Sequence, residues 1–541
     1  MGHGAGWQKT NERPGRSGRG AAGWLGAVRT AQARAARPTH SCLGGGAIQQ
    51  QVLRARPMYP QPVAQLGLTS PLLAGDEPVA YRSELSTLIR VGWPVGFSSF
   101  CRMIMAVTDI SVLGHLQGGT EYLAAAAMSY VVMDVTGTFP STAADALNAL
   151  CSQAYGAQNY RLVGQWLQIG LIITTLMCVP VMVCWMFTGD ILLWLGAPPH
   201  IASLANEYAF WSIWGLIPNE VYYAVRQYFQ AQGIVLPQLY NNMAFVAVNL
   251  VLNVVFVHGI GSWPGLGFVG SAIATSVSRT LQPLVFITYA GAWKGLHRQT
   301  WPDTSIVYWF TRRDVAEYFR QTLPTMIGNA IEQWQMEVVT LMAASLGVVD
   351  VATQSAVFNV FFALHCFSFG LAKATTCRVG YHLGANHPTN AMRSARVSLL
   401  VSVVLGGLVG LALLAMRNVI GHLFSNDPAV WQDMSALMFV LSISYVGVSV
   451  LISLESILFG QGRPMPVAVL GCLCTWGMSL PLAYVFAFKW HLYLAGLWTG
   501  LSVGYLAFVV VAAVVVYRTD WDECARRAVL RSNGGTHRCQ Q

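Results

Sequence analysis

The sequence predicts an all-α polytopic membrane protein with twelve transmembrane helices in two pseudo-symmetric six-helix bundles. Three observations predict this fold. Hydrophobic residues make up 54% of the 541-residue chain and charged residues only 10%, whereas soluble proteins carry about 25% charged residues. The apolar stretches are long enough for helices that cross a bilayer, and they lack the short alternating pattern of barrel strands. Two motifs also recur at one nearly constant spacing, which indicates an internal repeat.

The chain begins with a basic segment that has no apolar periodicity. Residues 1–80 are rich in Gly, Ala, Arg and Pro, a composition that predicts a disordered tail. Nine Lys/Arg face a single acid, Glu12, within residues 1–75, so the tail carries most of the net charge of +9. Charge placed there favours a tail near anionic lipid and argues against nucleic-acid binding. An Arg-rich, acid-poor segment is also typical of an organelle transit peptide, so an organelle envelope stays an alternative location.

Twelve predicted spans follow the tail. They cover residues 86–114, 122–152, 162–188, 202–230, 236–257, 266–292, 322–346, 350–381, 391–416, 430–459, 465–488 and 493–517. The longest polar connection separates the first six spans from the last six. The predicted domains are a tail at 1–80, an N-terminal bundle at 81–293, a linker at 294–320, a C-terminal bundle at 321–520 and a C-terminal tail at 521–541.

Basic residues concentrate in the connections that follow even-numbered spans. These residues are Arg161, Lys294, Arg298, Arg312, Arg313, Arg393, Arg396, Arg463, Arg518, Arg526, Arg527 and Arg531. Cytoplasmic loops of membrane proteins are enriched in Lys and Arg. We therefore predict that the even-numbered loops and both termini face the cytoplasm.

The repeat is visible in two pairs of segments. Cys151–Asn159 resembles Val379–His387 at an offset of 228, and Phe229–Gly233 resembles Leu458–Gly462 at an offset of 229. Six spans per repeat keep the same topology, so the halves are expected to be related by an axis along the membrane normal. The offset of 228 also pairs Asp109 in the first span with Glu337 in the seventh.

The seventh span contains two carboxylates. A charge at the centre of a membrane helix costs roughly 3 kcal/mol on insertion scales, so Glu332 and Glu337 are functional candidates. Five residues turn a helix by about 140° beyond one full turn, so we expect one carboxylate to face a cavity and the other a neighbouring helix. Asn329 and Gln335 extend a polar stripe on either side of Glu332. A carboxylate in this setting can exchange a proton and, when ionised, attract a cation; the alternative is a polar lock between helices.

Other ionisable residues also lie at membrane depth. Asp145 in the second span is a candidate coupling residue. Arg226, Arg279 and Glu455 are interpreted as structural or ion-pairing residues, since a buried cation is expected to have a carboxylate partner. Arg102 and Lys373 also fall inside predicted spans, and the candidate partners of these cations are Asp134, Asp145 and Glu220. His365 could relay protons or serve as a packing residue.

Aromatic residues near these acids could face an organic cation. They are Trp334, Phe358, Phe361, Phe362 and Tyr445. Aromatic ring faces attract cations, although each residue taken singly is as readily explained by packing. The eleven cysteines show no CxxC or Cys/His spacing, so the sequence predicts no metal site and no cofactor.

Four motifs make the chain recognisable. They are Gln153-Ala-Tyr-Gly-Ala157, Gln232-Gly-Ile-Val-Leu-Pro-Gln238, Glu332-Gln-Trp-x-x-Glu337 and Arg378-Val-Gly-x-x-Leu-Gly-Ala385. Together with the two six-span halves, they resemble the multidrug and toxic compound extrusion (MATE) transporters, and the eukaryotic branch in particular. The resemblance covers roughly residues 85–520.

The resemblance implies a fold and an activity. It implies a V-shaped cavity between two bundles, and export of organic cations or metabolites in exchange for H⁺, or for Na⁺ in some bacterial relatives. Matching glutamates of eukaryotic relatives are implicated in transport. Bacterial relatives carry a cation-coupling aspartate in the first span, where Asp109 lies in this chain, and many eukaryotic relatives do not rely on it. Asn148 stands where the family usually has an aspartate. Either Asp145, nearly one turn earlier, compensates for this change, or coupling through this half is altered.

We therefore predict a proton-coupled antiporter for organic cations or metabolites, monomeric and multi-pass, in a plasma or vacuolar/vesicle membrane. One alternative is a flippase for lipid-linked substrates, which would line its cavity with clustered basic residues. A receptor or scaffold that transports nothing would not explain intramembrane acids in both halves. A membrane enzyme is disfavoured because the sequence offers no nucleophile–base pair, metal spacing or phosphate loop.

Overall fold

A computed structural model describes residues 79–116, 118–301, 311–423 and 428–533. The predicted tail at 1–80 lies almost wholly outside the described residues. Twelve long helices follow one another within the described residues. Their bounds are α1 Tyr81–Gly114, α2 Gly119–Gly156, α3 Tyr160–Met186, α4 Pro199–Ala231, α5 Leu236–His258, α6 Phe268–Ile287, α7 Arg312–Ala344, α8 Val348–Gly384, α9 Pro388–Met416, α10 Pro428–Gly460, α11 Met465–Lys489 and α12 Tyr493–Tyr517.

Each predicted span falls on one of these twelve helices, so the predicted helix count is confirmed. Eight of the helices are long and apolar enough to cross a membrane by length and hydropathy alone. The other four are α2, α4, α6 and α7. These four carry most of the polar side chains that the sequence singled out, because they turn polar faces toward the interior of the bundle.

Two elements differ from the sequence prediction. Helix α7 begins at Arg312, inside the predicted linker, because the Thr311 side chain accepts a hydrogen bond from the Asp314 backbone N–H at 3.1 Å and caps the helix. The predicted C-terminal tail contains an amphipathic helix, α13, at Trp521–Asn533. It buries Trp521 and Cys524 against the bundle. Hydropathy alone detects neither element, since both are rich in charge.

Short irregular elements complete the fold. A short helix at Thr188–Trp194 follows α3, and a 3₁₀ turn at Ile420–Leu423 follows α9. A π-helical turn at Thr288–Trp293 extends α6. Helix α11 contains two further π-helical stretches, Gly471–Ser479 and Val485–Lys489. Two buried apolar clusters lie mainly within the first six helices, and one large cluster lies within the last six and α13.

The ends of α2 and α8 cross where the two halves meet. A Cβ on Gly156 would lie 2.0 Å from the Tyr381 carbonyl oxygen, and a Cβ on Gly384 would lie 1.9 Å from the Gln153 carbonyl oxygen. These two contacts are equivalent under the repeat offset of 228, since Gln153 matches Tyr381 and Gly156 matches Gly384. The pseudo-twofold axis that the repeat predicts therefore passes between α2 and α8.

The halves also contact each other at the end of the bundle that carries the even-numbered connections, which we call the even-loop face. The Gln153 side-chain amide donates to the Gly460 carbonyl at 2.8 Å. Arg378 of α8 donates to both carboxylate oxygens of Glu84 in α1, at 2.8 and 2.6 Å. Only 1% of each side chain in this ion pair is exposed. These contacts close the bundle at the even-loop face.

Candidate functional site

A cavity of about 360 Å³ lies above this closure. Its walls come from α2 of the first half and from α7, α8, α10 and α12 of the second half. Along α2 the lining ends at Ala149, and along α8 it ends at Thr376. The cross-half contacts begin only a few residues later on each of these two helices, whereas along α10 the lining continues to Phe459 and to Pro464 in the following connection.

Two glutamates meet in the cavity wall. Glu332 of α7 and Glu455 of α10 both line the cavity, and their carboxyl groups lie within hydrogen-bonding reach of each other. Glu455 is only 8% exposed, and its Oε1 atom has no hydrogen-bond partner among the described residues. In a poorly solvated setting, two adjacent carboxyl groups resist ionising together and hold one proton between them. Two carboxyl groups in this arrangement can share one proton.

The packing of α7 fixes the direction of Glu332. Gln335, about 60° away from Glu332 around the same helix, is fully buried and donates to the Thr475 carbonyl of α11 at 3.4 Å. This contact turns Glu332 and Asn329, one turn before it, into the cavity. In the polar stripe that the sequence predicts, Gln335 therefore packs against α11, whereas Glu332 and Asn329 face the cavity.

Aromatic side chains of α8 form another part of the wall. Phe358, Phe361, Phe362 and Phe369 line the cavity together with His365. The His365 ring is nearly parallel to the Phe362 ring, with an interplanar angle of 9°, and its Nδ1 atom has no partner among the described residues. The cavity therefore combines carboxyl groups with aromatic faces, the combination that suits a cation with apolar substituents.

Asp145 lies on the opposite wall and reaches across to the second half. Its Oδ1 atom accepts hydrogen bonds from the Tyr223 hydroxyl at 2.9 Å, from the Gln227 amide and from the Lys373 ammonium of α8. The side chains of Asp145 and Lys373 are 12% and 13% exposed. Among the described residues that line the cavity, Lys373 is the one Lys or Arg. We call Asp145 and Lys373 the cavity ion pair.

Two of the predicted site residues of α7 lie outside this cavity. Glu337 is half-buried, and the carboxylate of Asp134 in α2 lies close enough to repel it electrostatically. Trp334 packs edge-to-face against Phe139, with the ring centres 6.3 Å apart. The angular separation along α7 accounts for this arrangement, since Glu332 faces the cavity and Glu337 faces a neighbouring helix.

Asp109 belongs to a separate polar cluster within the first half. It is 2% exposed and accepts hydrogen bonds from the amides of Asn249 and Asn253 at 3.1 and 2.7 Å. Ser271 of α6 in turn donates to Asn253 at 3.0 Å. The structure therefore does not bring Asp109 into the cavity that contains Glu332.

The predicted roles of the two buried arginines need correction in detail. Arg226 does not pair with a carboxylate in the described part of the chain: it lies over the Tyr223 ring at 4.6 Å, and its Nε has no partner there. Asp145, one of its expected partners, is taken by Lys373. Arg279 of α6 lies near enough to act electrostatically on three acids of the first half, which are Asp109, Asp134 and Glu220.

Comparison with known proteins identifies this architecture. The sequence profile of the MatE family matches the chain twice, over residues 94–255 and 324–485. The two matched segments have equal length and are 230 residues apart, as the repeat predicts, and they cover more than half of the chain. The chain belongs to the MatE family. Its fold is that of the MATE transporters, as the sequence motifs indicate.

Individual relatives of this MatE-family transporter are similar over most of the chain. It is 29% identical over 457 residues to multidrug and toxin extrusion protein 2 of Mus musculus, covering 83% of this chain and 77% of the relative. It is 27% identical to protein DETOXIFICATION 14 of Arabidopsis thaliana, covering 83% and 92%. The crystal structure of the eukaryotic MATE transporter AtDTX14 superposes with a TM-score of 0.76 at 25% identity, covering 84% of this chain and 99% of that one.

Sequence reasoning missed one pairing in this transporter, Glu332 with Glu455, and left open which candidate acid pairs with Lys373. No signal in one sequence pairs Glu332 with Glu455, because the contact depends on how α7 and α10 rotate against each other. The cavity ion pair did have a signal: Asp145 and Lys373 are 228 residues apart, which is the repeat offset, and equivalent residues on α2 and α8 meet at the pseudo-twofold axis.

Proposed function

We propose that this MatE-family transporter is a secondary active antiporter that exports organic cations, drugs or metabolites in exchange for protons. The observation that carries the proposal is the Glu332–Glu455 carboxyl pair in the cavity wall. Relatives of this chain are named for the extrusion of multiple drugs and toxins, which supports a substrate of small organic molecules.

The carboxyl pair supports proton exchange. When the pair holds a proton, it carries one negative charge at most, and a bound cation would compete for that charge. When a cation binds, the pair gains from losing its proton, since both carboxylates can then be ionised beside a positive charge. Proton and cation therefore bind in alternation, which is the requirement of an antiporter. The same chemistry would admit Na⁺; we assign H⁺ because two adjacent carboxyl groups can share one proton.

The cavity walls support an organic cation as the substrate. The volume of about 360 Å³ lies within the range of small-molecule sites. Phe358, Phe361 and Phe362 offer ring faces beside the carboxyl pair. A flippase for lipid-linked substrates is a weaker proposal, because Lys373, the basic residue of the cavity wall, is already paired with Asp145.

Orientation follows from the loop charges. We infer that the even-loop face is cytoplasmic, because it carries most of the basic loop residues. The cross-half contacts lie at that face, and from their position we infer that the conformation described is the outward-facing one. We further propose a monomer in a plasma or vacuolar/vesicle membrane, with both termini in the cytoplasm.

Transport in vesicles tests the proposal. Purified protein is reconstituted, a pH gradient is imposed, and the flux of labelled tetraethylammonium is measured for the unsubstituted chain, Glu332→Gln and the matched control Glu207→Gln. Glu207 is an exposed carboxylate of α4 away from the cavity. We expect gradient-driven flux that falls about tenfold or more in Glu332→Gln, because the substitution removes the shared proton, and unchanged flux in the control. Flux that ignores the gradient, or that survives Glu332→Gln, would refute proton coupling at this site.

A further inference from the structure

The cavity ion pair joins the two halves at equivalent positions of the repeat. Asp145 of α2 and Lys373 of α8 are 228 residues apart and meet at the pseudo-twofold axis. In an exact repeat, the two equivalent positions would carry the same residue type. Here one position is an acid and the other a base, so the two halves attract each other at a point that faces the cavity.

Lys373 is directed to Asp145 and to no other acid of the cavity. Glu332 and Glu455 line the same space, yet the ion pair that Lys373 forms is with Asp145. The ammonium group also lies 4.7 Å from the centre of the Phe369 ring on its own helix, which steadies its position. Lys373 is thus held as a cation on an aromatic support, next to a carboxylate, which is the environment expected for a substrate cation in this cavity.

The other hydrogen-bond partners of Asp145 belong to its own half. Tyr223 and Gln227, which donate to Asp145, both belong to α4 of its own half. Opening of the even-loop face would move α8 away from α2, because the cross-half contacts of those helices close that face. Lys373 would leave with α8, while Asp145 would stay oriented by Tyr223 and Gln227 with its charge unpaired.

We propose that Lys373 is a built-in competitor of the substrate cation at Asp145. The inference rests on the proposed function, because it requires a cationic substrate and alternating access. In the conformation open at the even-loop face, Asp145 binds the substrate cation. Closure of that face returns the Lys373 ammonium to Asp145, which lowers the affinity for the substrate in the conformation that releases it. Asp145 is then a substrate-binding residue of one conformation, and Lys373 sets the direction of release.

Binding of tetraethylammonium to the full chain in lipid nanodiscs tests the proposal without any gradient. We expect Lys373→Met to lower the Kd about tenfold, the effect of losing a charge-assisted competitor. Lys373→Arg, which keeps the charge, should keep the Kd within about twofold. The matched control is Lys489→Met, because Lys489 lies at the end of α11 and outside the cavity; its Kd should not change. If Lys373→Met does not give monodisperse protein, Lys373→Gln carries the same expectation.

Repeating the Lys373 substitution in an Asp145→Asn variant distinguishes competition for Asp145 from a packing role of Lys373. In Asp145→Asn, the substitution Lys373→Met should no longer lower the Kd, because Lys373 has nothing to compete for. A Kd unchanged or raised by Lys373→Met alone, or lowered equally in both backgrounds, would overturn the proposal and leave the ion pair a packing contact between α2 and α8.

Export provides an independent readout. Tighter binding arises mostly from slower dissociation, so we expect Lys373→Met to export more slowly than the unsubstituted chain while binding more tightly. Faster export together with tighter binding would contradict a role in release. If the unsubstituted chain shows no gradient-driven flux while Lys373→Met still binds more tightly, the proposed proton coupling fails and the competition at Asp145 stands.

Discussion

At the scale of single residues, the most deeply buried charged side chains in the described part of the chain, Arg378 and Glu84, join the halves and do not line the cavity. Arg378 donates two hydrogen bonds to Glu84 and a further contact reaches His382 at 2.9 Å. Ser394 of α9 also donates to Glu84, at 2.5 Å. This cluster therefore ties α1 to α8 and α9 away from water. Its counterpart in the cavity, Asp145 with Lys373, is partly exposed and accessible to a competing ion.

The first residue-scale prediction concerns stability. Glu84→Gln leaves the guanidinium of Arg378 buried without a counter-charge, so we expect a loss of about 3–5 kcal/mol of folding stability, visible as a lower midpoint of thermal unfolding. The matched control is Glu523→Gln, which breaks an exposed pair with Arg527 in α13; such pairs contribute less than about 1 kcal/mol. Equal midpoints for the two variants would contradict the assigned role of the buried pair.

At the scale of elements, close packing of α2 on α8 depends on glycines with no room for a side chain. A Cβ on Gly384 would lie 1.9 Å from a carbonyl oxygen of α2, whereas a Cβ on Gly407 in α9 would meet nothing within 4 Å. We expect Gly384→Ala to prevent the even-loop face from closing and to cost about 1–3 kcal/mol or more. Gly407→Ala should be neutral or stabilising by roughly 0.5–1 kcal/mol, the difference in helix propensity.

Labelling checks this pair of variants. Cys377 is buried at the even-loop end of α8, and its thiol contacts the Gln230 and Ala231 carbonyls of α4 at 3.4 Å. Alkylation of Cys377, resolved by mass spectrometry, should be faster in Gly384→Ala than in the unsubstituted chain, because the closure over it is loosened. Gly407→Ala should alkylate at the original rate. Alkylation that is faster in Gly407→Ala, or that is no faster in Gly384→Ala than in the unsubstituted chain, would show that the crossing of α2 and α8 does not control this face.

The number and order of the helices were largely predictable from the sequence, and the side-chain pairings between helices were not. Helix number and order follow from hydropathy, since long apolar segments must form helices in a bilayer. The start of α7 at Arg312 and the whole of α13 escaped prediction because both are charged and lie beyond the apolar segments. At the site, Glu332, Asn329, Asp145 and His365 were predicted and do line one cavity. Glu455 was interpreted as an ion-pairing residue, and its meeting with Glu332 depends on helix rotation that a single sequence does not encode.

At the scale of the whole molecule, the two halves share a fold but differ in chemistry. The carboxyl pair and the aromatic wall lie in the second half, and the offset of 228 matches Glu332 to Ile104, an apolar residue of α1. The first half instead encloses Asp109 in a cluster of amides with Arg279 nearby. The predicted coupling role of Asp109 stays a prediction. The asymmetry places proton exchange in our account at Glu332 and Glu455, with the first half supplying Asp145.

The most direct test of that account is proton release on substrate binding. Tetraethylammonium is added to weakly buffered protein in nanodiscs, and the protons released are counted against the cations bound. The account predicts release of about one proton per cation, loss of that release in Glu332→Gln and in Glu455→Gln, and full release in Glu207→Gln. It also predicts weaker cation binding as the pH falls, because protons occupy the pair. Saturable binding without proton release, or release that persists in both glutamate variants, would contradict exchange at this pair.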